Sequence, residues 1–229
     1  GGELVEAGIG SVEVLPLMLD TSKWSEAANA GIAATLRGTP GVNLLHVGRL
    51  APNKCIEDII KAFYFFHHKI NKESRLYLVG IDIDTELYSL ELRRLTSRLG
   101  LKQAVEFVGS VADSELRAFY ENCDAYLCMS EHEGFCLPLA EAMYFGCPVI
   151  AFASTAIPET LGDGGILVGE KAYAHLAELI QLLVSDDKLR NSVIESGRQR
   201  ARTFSPEAFT KQFDELFLTP FQPAAARRA

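Results

Sequence analysis

Short apolar runs alternate along the chain with stretches whose apolar positions recur every three or four residues. "VNLLHVG", "RLYLVG", "AVEFVG", "CDAYLCMS", "CPVIAF" and "GILVG" read as strands, as does "SVEVLPL" near the start. Most are nearly continuous in Val, Ile, Leu, Phe and Tyr, as strands covered on both faces must be. Helical patterns fill the intervals, over 54–70, 85–99, 113–121, 138–145, 172–185, 187–202 and 206–216. Strand and helix in alternation predict an α/β fold, a parallel sheet with helices on both faces. Strands ending in glycine, as in "HVGR", "LVGI", "FVGS" and "VGEK", turn sharply at their carboxyl ends, the edge where ligands bind in such sheets.

Composition narrows the picture. Of 229 residues, 48 % are apolar, enough for a substantial core. No apolar run approaches the length of a membrane span, and no signal peptide is visible. A formal charge of −8 excludes a general nucleic-acid binder. The five cysteines, Cys55, Cys123, Cys128, Cys136 and Cys147, are odd in number and form no C-x-x-C, so free thiols in a reducing cytoplasm are expected rather than a zinc site. Residues 1–24 read as a strand and linker, 25–217 as a ligand-binding domain and 218–229 as a frayed tail. The chain opens on Gly1-Gly2 without Met, and a fragment or trimmed chain is expected.

Candidate chemistry concentrates in "MSEHEGFCLPLAEAM", residues 129–143. Pro138 fits the first helical position and Gly146 the stop, which puts Glu141 on the first turn. An acid there complements the helix dipole by roughly 0.3–1 kcal/mol. That account leaves out Glu133, which precedes the helix beside Gly134. The stretch from Glu133 to Pro138 spans about 17 Å at most, so both acids can flank one small ligand. Carboxylates suit vicinal hydroxyls, whereas the amides from Gly134 to Leu137 at a helix start suit phosphate. Cations come from "HVGRLAPNK": Arg49 just after Gly48, and Lys54 at the start of the next helix. Together these groups describe a ligand that is part sugar and part diphosphate.

At these residues the chain resembles the group 1 retaining glycosyltransferases with the GT-B fold. The series "VGRLAPNK", "LYLVG", "VEFVGSV", "SEHEGFCLPLAEAM", "GCPVIAF" and "AIPETLGDGGILV" follows the family's order over residues 11 to 216. The resemblance implies the family's C-terminal half, a Rossmann-like domain that binds the nucleotide-sugar donor, with the N-terminal acceptor-binding half absent. It implies that Glu133 contacts hydroxyls of the donor sugar and Glu141 holds the ribose diol. Arg49 and Lys54 bind the diphosphate, and the backbone of Gly48, Gly134, Phe135, Cys136 and Leu137 lines the sugar and phosphates. Val108 meets the base through its main chain. The implied reaction is sugar transfer from a UDP- or GDP-sugar to a glycan, lipid or small-molecule acceptor, with retained anomeric configuration and no metal or other cofactor. A cytoplasmic protein is implied, with peripheral membrane association through the missing half left open.

Three departures stand out. Cys136 replaces a second glycine and threatens either crowding of the phosphate or a changed backbone angle. Cys55 follows Lys54 where glycine is frequent, and "VGIDIDTE" replaces a Gly-rich turn. Asp82-Ile83-Asp84 imitates a metal motif but reads as a loop ahead of a helix. Glu131 and His132 read as a rim, and His46 as a core or cleft residue. Glu159, Thr155 and Ala156 are further candidates beside the donor, and the pair His67-His68 reads as interfacial. Two alternatives stay open: a nucleotide-sugar epimerase of the same fold, and a non-catalytic nucleotide-sugar-binding module.

Overall fold

Strand residues in this chain are apolar on both faces because both faces are covered. In β1 (Asn43–Val47), Leu44 and Leu45 are both fully buried but belong to opposite cores. The same alternation holds in β2 (Arg75–Val79), where Leu76 and Leu78 face one way and Tyr77 and Val79 the other. It holds again in β4 (Ala125–Cys128) and β5 (Val149–Phe152). With β3 (Val105–Gly109) and β6 (Ile166–Val168) these form one parallel six-stranded sheet, in the order β3-β2-β1-β4-β5-β6. The computed structural model describes Gly8 and residues 15–218.

One face is covered by α2 (Ile56–Phe65), α3 (Glu86–Arg98) and α7 (Tyr173–Ser185), which bury Ile56, Ile59, Ile60, Phe63, Leu92 and Ile180. The other is covered by α1 (Ala30–Gly38), α4 (Asp113–Asn122), α5 (Leu137–Phe145) and α6 (Ile157–Leu161). Two further helices, α8 (Asp187–Arg202) and α9 (Pro206–Phe213), close the described chain, and α9 runs on into a π-helical turn over Asp214–Leu218. Each fully buried Leu, Ile or Phe contributes about 1.5–3 kcal/mol, so the two cores carry the fold.

Several expectations change. The strand expected over 11–17 falls partly outside the described residues, and 15–17 carry no strand. The expected linker is packed into the domain. Leu19 and Trp24 are buried, and the Leu19 amide donates to the Phe204 carbonyl at 2.7 Å. Helix α1 was not expected; Asn29 caps it, accepting from the Ile32 amide. The helix expected from residue 54 begins at Ile56, because Pro52–Lys54 form a 3-10 turn that ends at Cys55 in a left-handed conformation.

The strand order reverses direction between β1 and β4, which pair directly through Leu44–Ala125 and Leu45–Tyr126. The loops after these two strands therefore diverge from neighbouring strand ends. A doubly wound sheet has its crevice at that point. "HVGRLAPNK" and "SEHEGFC" are those two loops.

Candidate active site

The two loops are joined by a short series of contacts. The Glu131 amide donates to the Asn53 carbonyl at 2.9 Å, and the Asn53 side-chain amide donates to the His132 carbonyl at 3.0 Å. Next to these, Lys54 Nζ lies 2.6 Å from Glu133 Oε1. Both side chains are largely buried, so this pair is screened less than a surface bridge. A third loop, after β5, holds the acid's backbone: the Glu133 amide donates to Thr155 Oγ1 at 2.9 Å, and Ser154 Oγ donates to the Ser130 carbonyl at 2.6 Å.

Gly80 sets the position of the first loop. Its φ is +148°, and a Cβ there would lie 1.9 Å from the Gly48 carbonyl oxygen. Only glycine lets the ends of β1 and β2 come this close. Arg49, next to Gly48, is exposed, and its guanidinium has no partner among the described residues.

Beyond Glu133 the chain passes Gly134, where a Cβ would meet nothing within 4 Å, and enters α5. The amides of Gly134, Phe135 and Cys136 find no acceptor among the described residues, and the helix start has no side-chain cap. Unpaired amides at a helix N-terminus form an anion cradle. Cys136 sits at φ +66°, ψ +66°, a left-handed conformation that favours glycine, at a cost of roughly 1–2 kcal/mol. Its buried sulfur turns inward, 4.0 Å from Cys128 Sγ, so it does not crowd the cradle. The contact makes Cys128 the more acidic thiol and Cys136 the less acidic one.

Glu141 is placed differently from expectation. Helix α5 begins at Leu137, so Pro138 is its second residue and Glu141 lies in the second turn. The dipole explanation of this acid therefore falls away. The side chain is only 5 % exposed, and each carboxylate oxygen is engaged: Oε1 by Lys23 Nζ at 2.5 Å and Oε2 by the Tyr120 hydroxyl at 2.9 Å. Lys23 also lies over the Trp24 ring, 4.4 Å from its centre. The structure thus brings Lys54 and Glu133 together, leaves Arg49 exposed on the same loop as Lys54 without a partner among the described residues, and holds Glu141 in a separate cluster. A hollow of about 540 Å³ takes in Gly134 and Phe135 with Glu159, Thr160, Arg200 and Phe204, but none of the four charged candidates.

Val108 is the bulged residue of β3: Leu78 pairs with Phe107 and Val79 with Gly109, which leaves Val108 out of register with β2. A bulge at a sheet edge frees main-chain groups for a ligand. His46 is buried on β1 beneath the pair. Its Nδ1 lies 2.9 Å from the Leu127 carbonyl, and its Nε2 has no partner. Burial lowers its pKa to about 4, so the ring is neutral. Donation from Nδ1 makes Nε2 a buried acceptor close enough to Lys54 and Glu133 to feel both charges. Glu131, read as rim, pairs with Lys171 at 2.9 Å. His67 and His68 contact Ser74 and the Leu99 carbonyl, as interfacial residues do. Asp82 and Asp84 lie in the turn before α3, where the Asp82 carbonyl accepts from Thr85. Sequence reasoning missed Lys23 and Tyr120. Neither carries a local signal, since they stand 118 and 21 residues from the acid they hold.

Comparison with known proteins decides the family. The pattern of "Glycosyl transferases group 1" matches residues 35–200, most of the chain. The chain belongs to the group 1 glycosyl transferases. Among relatives, the O-antigen chain mannosyltransferase B of Escherichia coli is 28 % identical over 171 residues, covering 73 % of this chain and 43 % of the relative. A D-inositol 3-phosphate glycosyltransferase of Corynebacterium glutamicum (strain R) is 30 % identical over 174 residues, covering 75 % and 42 %. The chain thus spans less than half the length of these curated relatives. The fold matches the crystal structure of Anabaena Alr3699/HepE in complex with UDP with a TM-score of 0.81 at 23 % identity, covering 95 % of this chain and 61 % of that one. The Rossmann-like GT-B architecture of this group 1 chain is thereby established. Among the described residues no helix is long and apolar enough to cross a membrane.

Proposed function

We propose that this chain is the donor-binding half of a retaining glycosyltransferase that uses a nucleoside diphosphate sugar. One observation carries the reading: at the sheet's switch point a buried Lys54–Glu133 pair joins the loop that carries Arg49 to the loop that leads into α5, and neither the Arg49 guanidinium nor the amides at that helix start have a partner among the described residues. Cations and amides suit a diphosphate, and the acid suits sugar hydroxyls. The relatives named above are glycosyltransferases, and the HepE structure is a UDP complex; at 23 % identity that likeness speaks for the fold alone.

In this reading Arg49, Lys54 and the amides of Gly134 to Leu137 hold the diphosphate and stabilise its charge as it departs, in a site that excludes water. Glu133 orients the sugar, Glu141 receives the ribose diol, and the Val108 main chain meets the base. The acceptor attacks from the face that the diphosphate leaves, through an oxocarbenium-like state, and no metal takes part. The acceptor's own contacts are assigned to the part of the relatives' length that this stretch does not span.

Calorimetric titration with UDP- and GDP-sugars tests the proposal. Saturable binding of one donor is expected. Arg49→Ala should weaken a nucleoside diphosphate about tenfold, or 1.4 kcal/mol, while leaving the bare nucleoside unchanged. A folded protein that binds no donor, or an Arg49→Ala variant that binds diphosphate as tightly as the parent, would sink it.

A further inference from the structure

Two thiols that looked unrelated in sequence meet beside the donor loop. Cys128 ends β4, Cys136 starts α5, and their sulfurs lie 4.0 Å apart in the core. A carboxylate oxygen of Glu133 joins them, with all three donor atoms within 4.8 Å of one another. Bonds of about 2.3 Å from a tetrahedral ion to two thiolates imply sulfurs roughly 3.8 Å apart, close to the separation found. We propose that Cys128, Glu133 and Cys136 bind one thiophilic divalent cation of the Zn²⁺ class.

The chemistry of the donors selects the ion. Thiolates favour Zn²⁺ and its softer analogue Cd²⁺ over Mg²⁺ or Ca²⁺, which take oxygen ligands. On binding, each thiol releases its proton to solvent, so one dication replaces two protons. Two thiolates and one carboxylate leave the loaded site with one net negative charge, which Lys54 offsets from 2.6 Å beyond Glu133. A carboxylate has two oxygens, so one can bind the ion while the other keeps the lysine. The ion enters from the side of Glu133, where the site meets the crevice.

A second group, Cys55, Asp58 and Glu131, is a poorer candidate. It has one thiol where the first has two, and both oxygens of Asp58 are already held, by Lys61 at 3.1 Å and Lys171 at 2.9 Å, which leaves that acid no free oxygen for an ion. The first site also uses Glu133, which the proposed function assigns to the donor sugar. On that reading, cation and donor exclude one another, and a thiophilic metal acts as an inhibitory ligand.

Titrating the reduced, metal-free protein with Cd²⁺ tests this through the ultraviolet thiolate-to-cadmium charge-transfer band. The parent and Cys55→Ser should both saturate at one equivalent. Cys136→Ser should lose the band. Glu133→Gln is isosteric and leaves the fold intact, as circular dichroism can verify, and should weaken Cd²⁺ by at least about tenfold, the loss seen even for supporting groups around a metal. No saturable band in the parent, a full band in Cys136→Ser, loss of the band in Cys55→Ser, or unchanged affinity in Glu133→Gln would each overturn the site. A donor that binds the metal-free and cadmium-loaded proteins equally would overturn the exclusion. Failure of every donor to bind the metal-free protein would strike the proposed function instead, while the band still decides the metal site.

Discussion

Glu133 and Glu141 belong to one nine-residue motif yet occupy opposite kinds of environment. Glu133 lies on a loop, and its cation comes from the loop of a neighbouring strand, so strand pairing builds the contact. Glu141 lies inside a helix, and its partners are a fully buried tyrosine from α4 and a lysine from the segment before α1. The first acid directly precedes amides that have no acceptor among the described residues. The second already has both oxygens engaged. The loop acid is therefore ready for a ligand, whereas the helix acid helps to hold the N-terminal segment on the domain and must exchange a partner to bind one.

The largest test of this contrast removes each acid in turn. Glu141→Ala leaves the Tyr120 hydroxyl buried without an acceptor and releases Lys23, and should lower stability by about 3 kcal/mol. Tyr120→Phe added to that variant should recover about 1 kcal/mol, the share due to the orphaned hydroxyl. Glu133→Gln keeps the shape of its side chain and one acceptor oxygen but leaves the largely buried Lys54 without its counter-charge, and should cost about 1–2 kcal/mol, less than the loss at Glu141. Urea unfolding of the three variants measures the difference. Equal losses from the two acids would erase the distinction.

A smaller effect belongs to the loop acid's side alone. His46, beneath Lys54 and Glu133, protonates only near pH 4 when folded, against 6.5 for the ordinary imidazole. Between those values the unfolded chain holds a proton that the folded chain does not. The stabilisation is thus complete above pH 6.5 and declines as pH falls toward 4, with a ceiling of about 3 kcal/mol. Roughly 2 kcal/mol of it should vanish between about pH 7 and pH 5. In His46→Phe that slope should flatten, after a uniform loss of about 1 kcal/mol from the unpaired Leu127 carbonyl. Urea midpoints at both pH values decide it, and parallel pH profiles for parent and variant would refute it.

The same contrast marks what the sequence could disclose. Strands β1, β2, β4 and β5 were legible because burial on both faces writes continuous apolar runs, and the less buried edge strands β3 and β6 because their short apolar runs are bounded by glycine. The cradle was legible because Glu133, Gly134 and Pro138 sit in one local motif. Helix α1 was missed because its pattern is broken by glycines at both ends, Gly31 and Gly38, and rests on the Asn29 cap. Glu141 was placed one residue too early, on the first turn instead of the second, because Pro138 stands at the second helical position and not the first. The contact between Cys128 and Cys136 was hidden because it depends on a left-handed residue between a strand end and a helix start. Lys23 was hidden because no periodicity links an irregular segment to a helix 118 residues away.

The smallest predicted effect concerns that lysine, and it tests whether the helix acid must lose a partner to bind. Lys23 is 29 % exposed on its side chain, so its bridge to Glu141 is worth no more than about 1 kcal/mol. Its ammonium lies over the Trp24 ring, and Lys23→Met replaces that cation with a thioether of similar length that can still pack on the ring. If a ribose diol takes the oxygen that Lys23 now holds, the variant should bind a nucleoside up to about fivefold more tightly, since 1 kcal/mol is the most that release of the bridge returns. The gain should shrink as salt is added to the parent, because screening weakens the bridge there and brings the two proteins together. Nucleoside titrations of parent and variant at low and high salt supply the measurement. Weaker binding by Lys23→Met would reverse the assignment, making the lysine a ligand contact instead of a competitor.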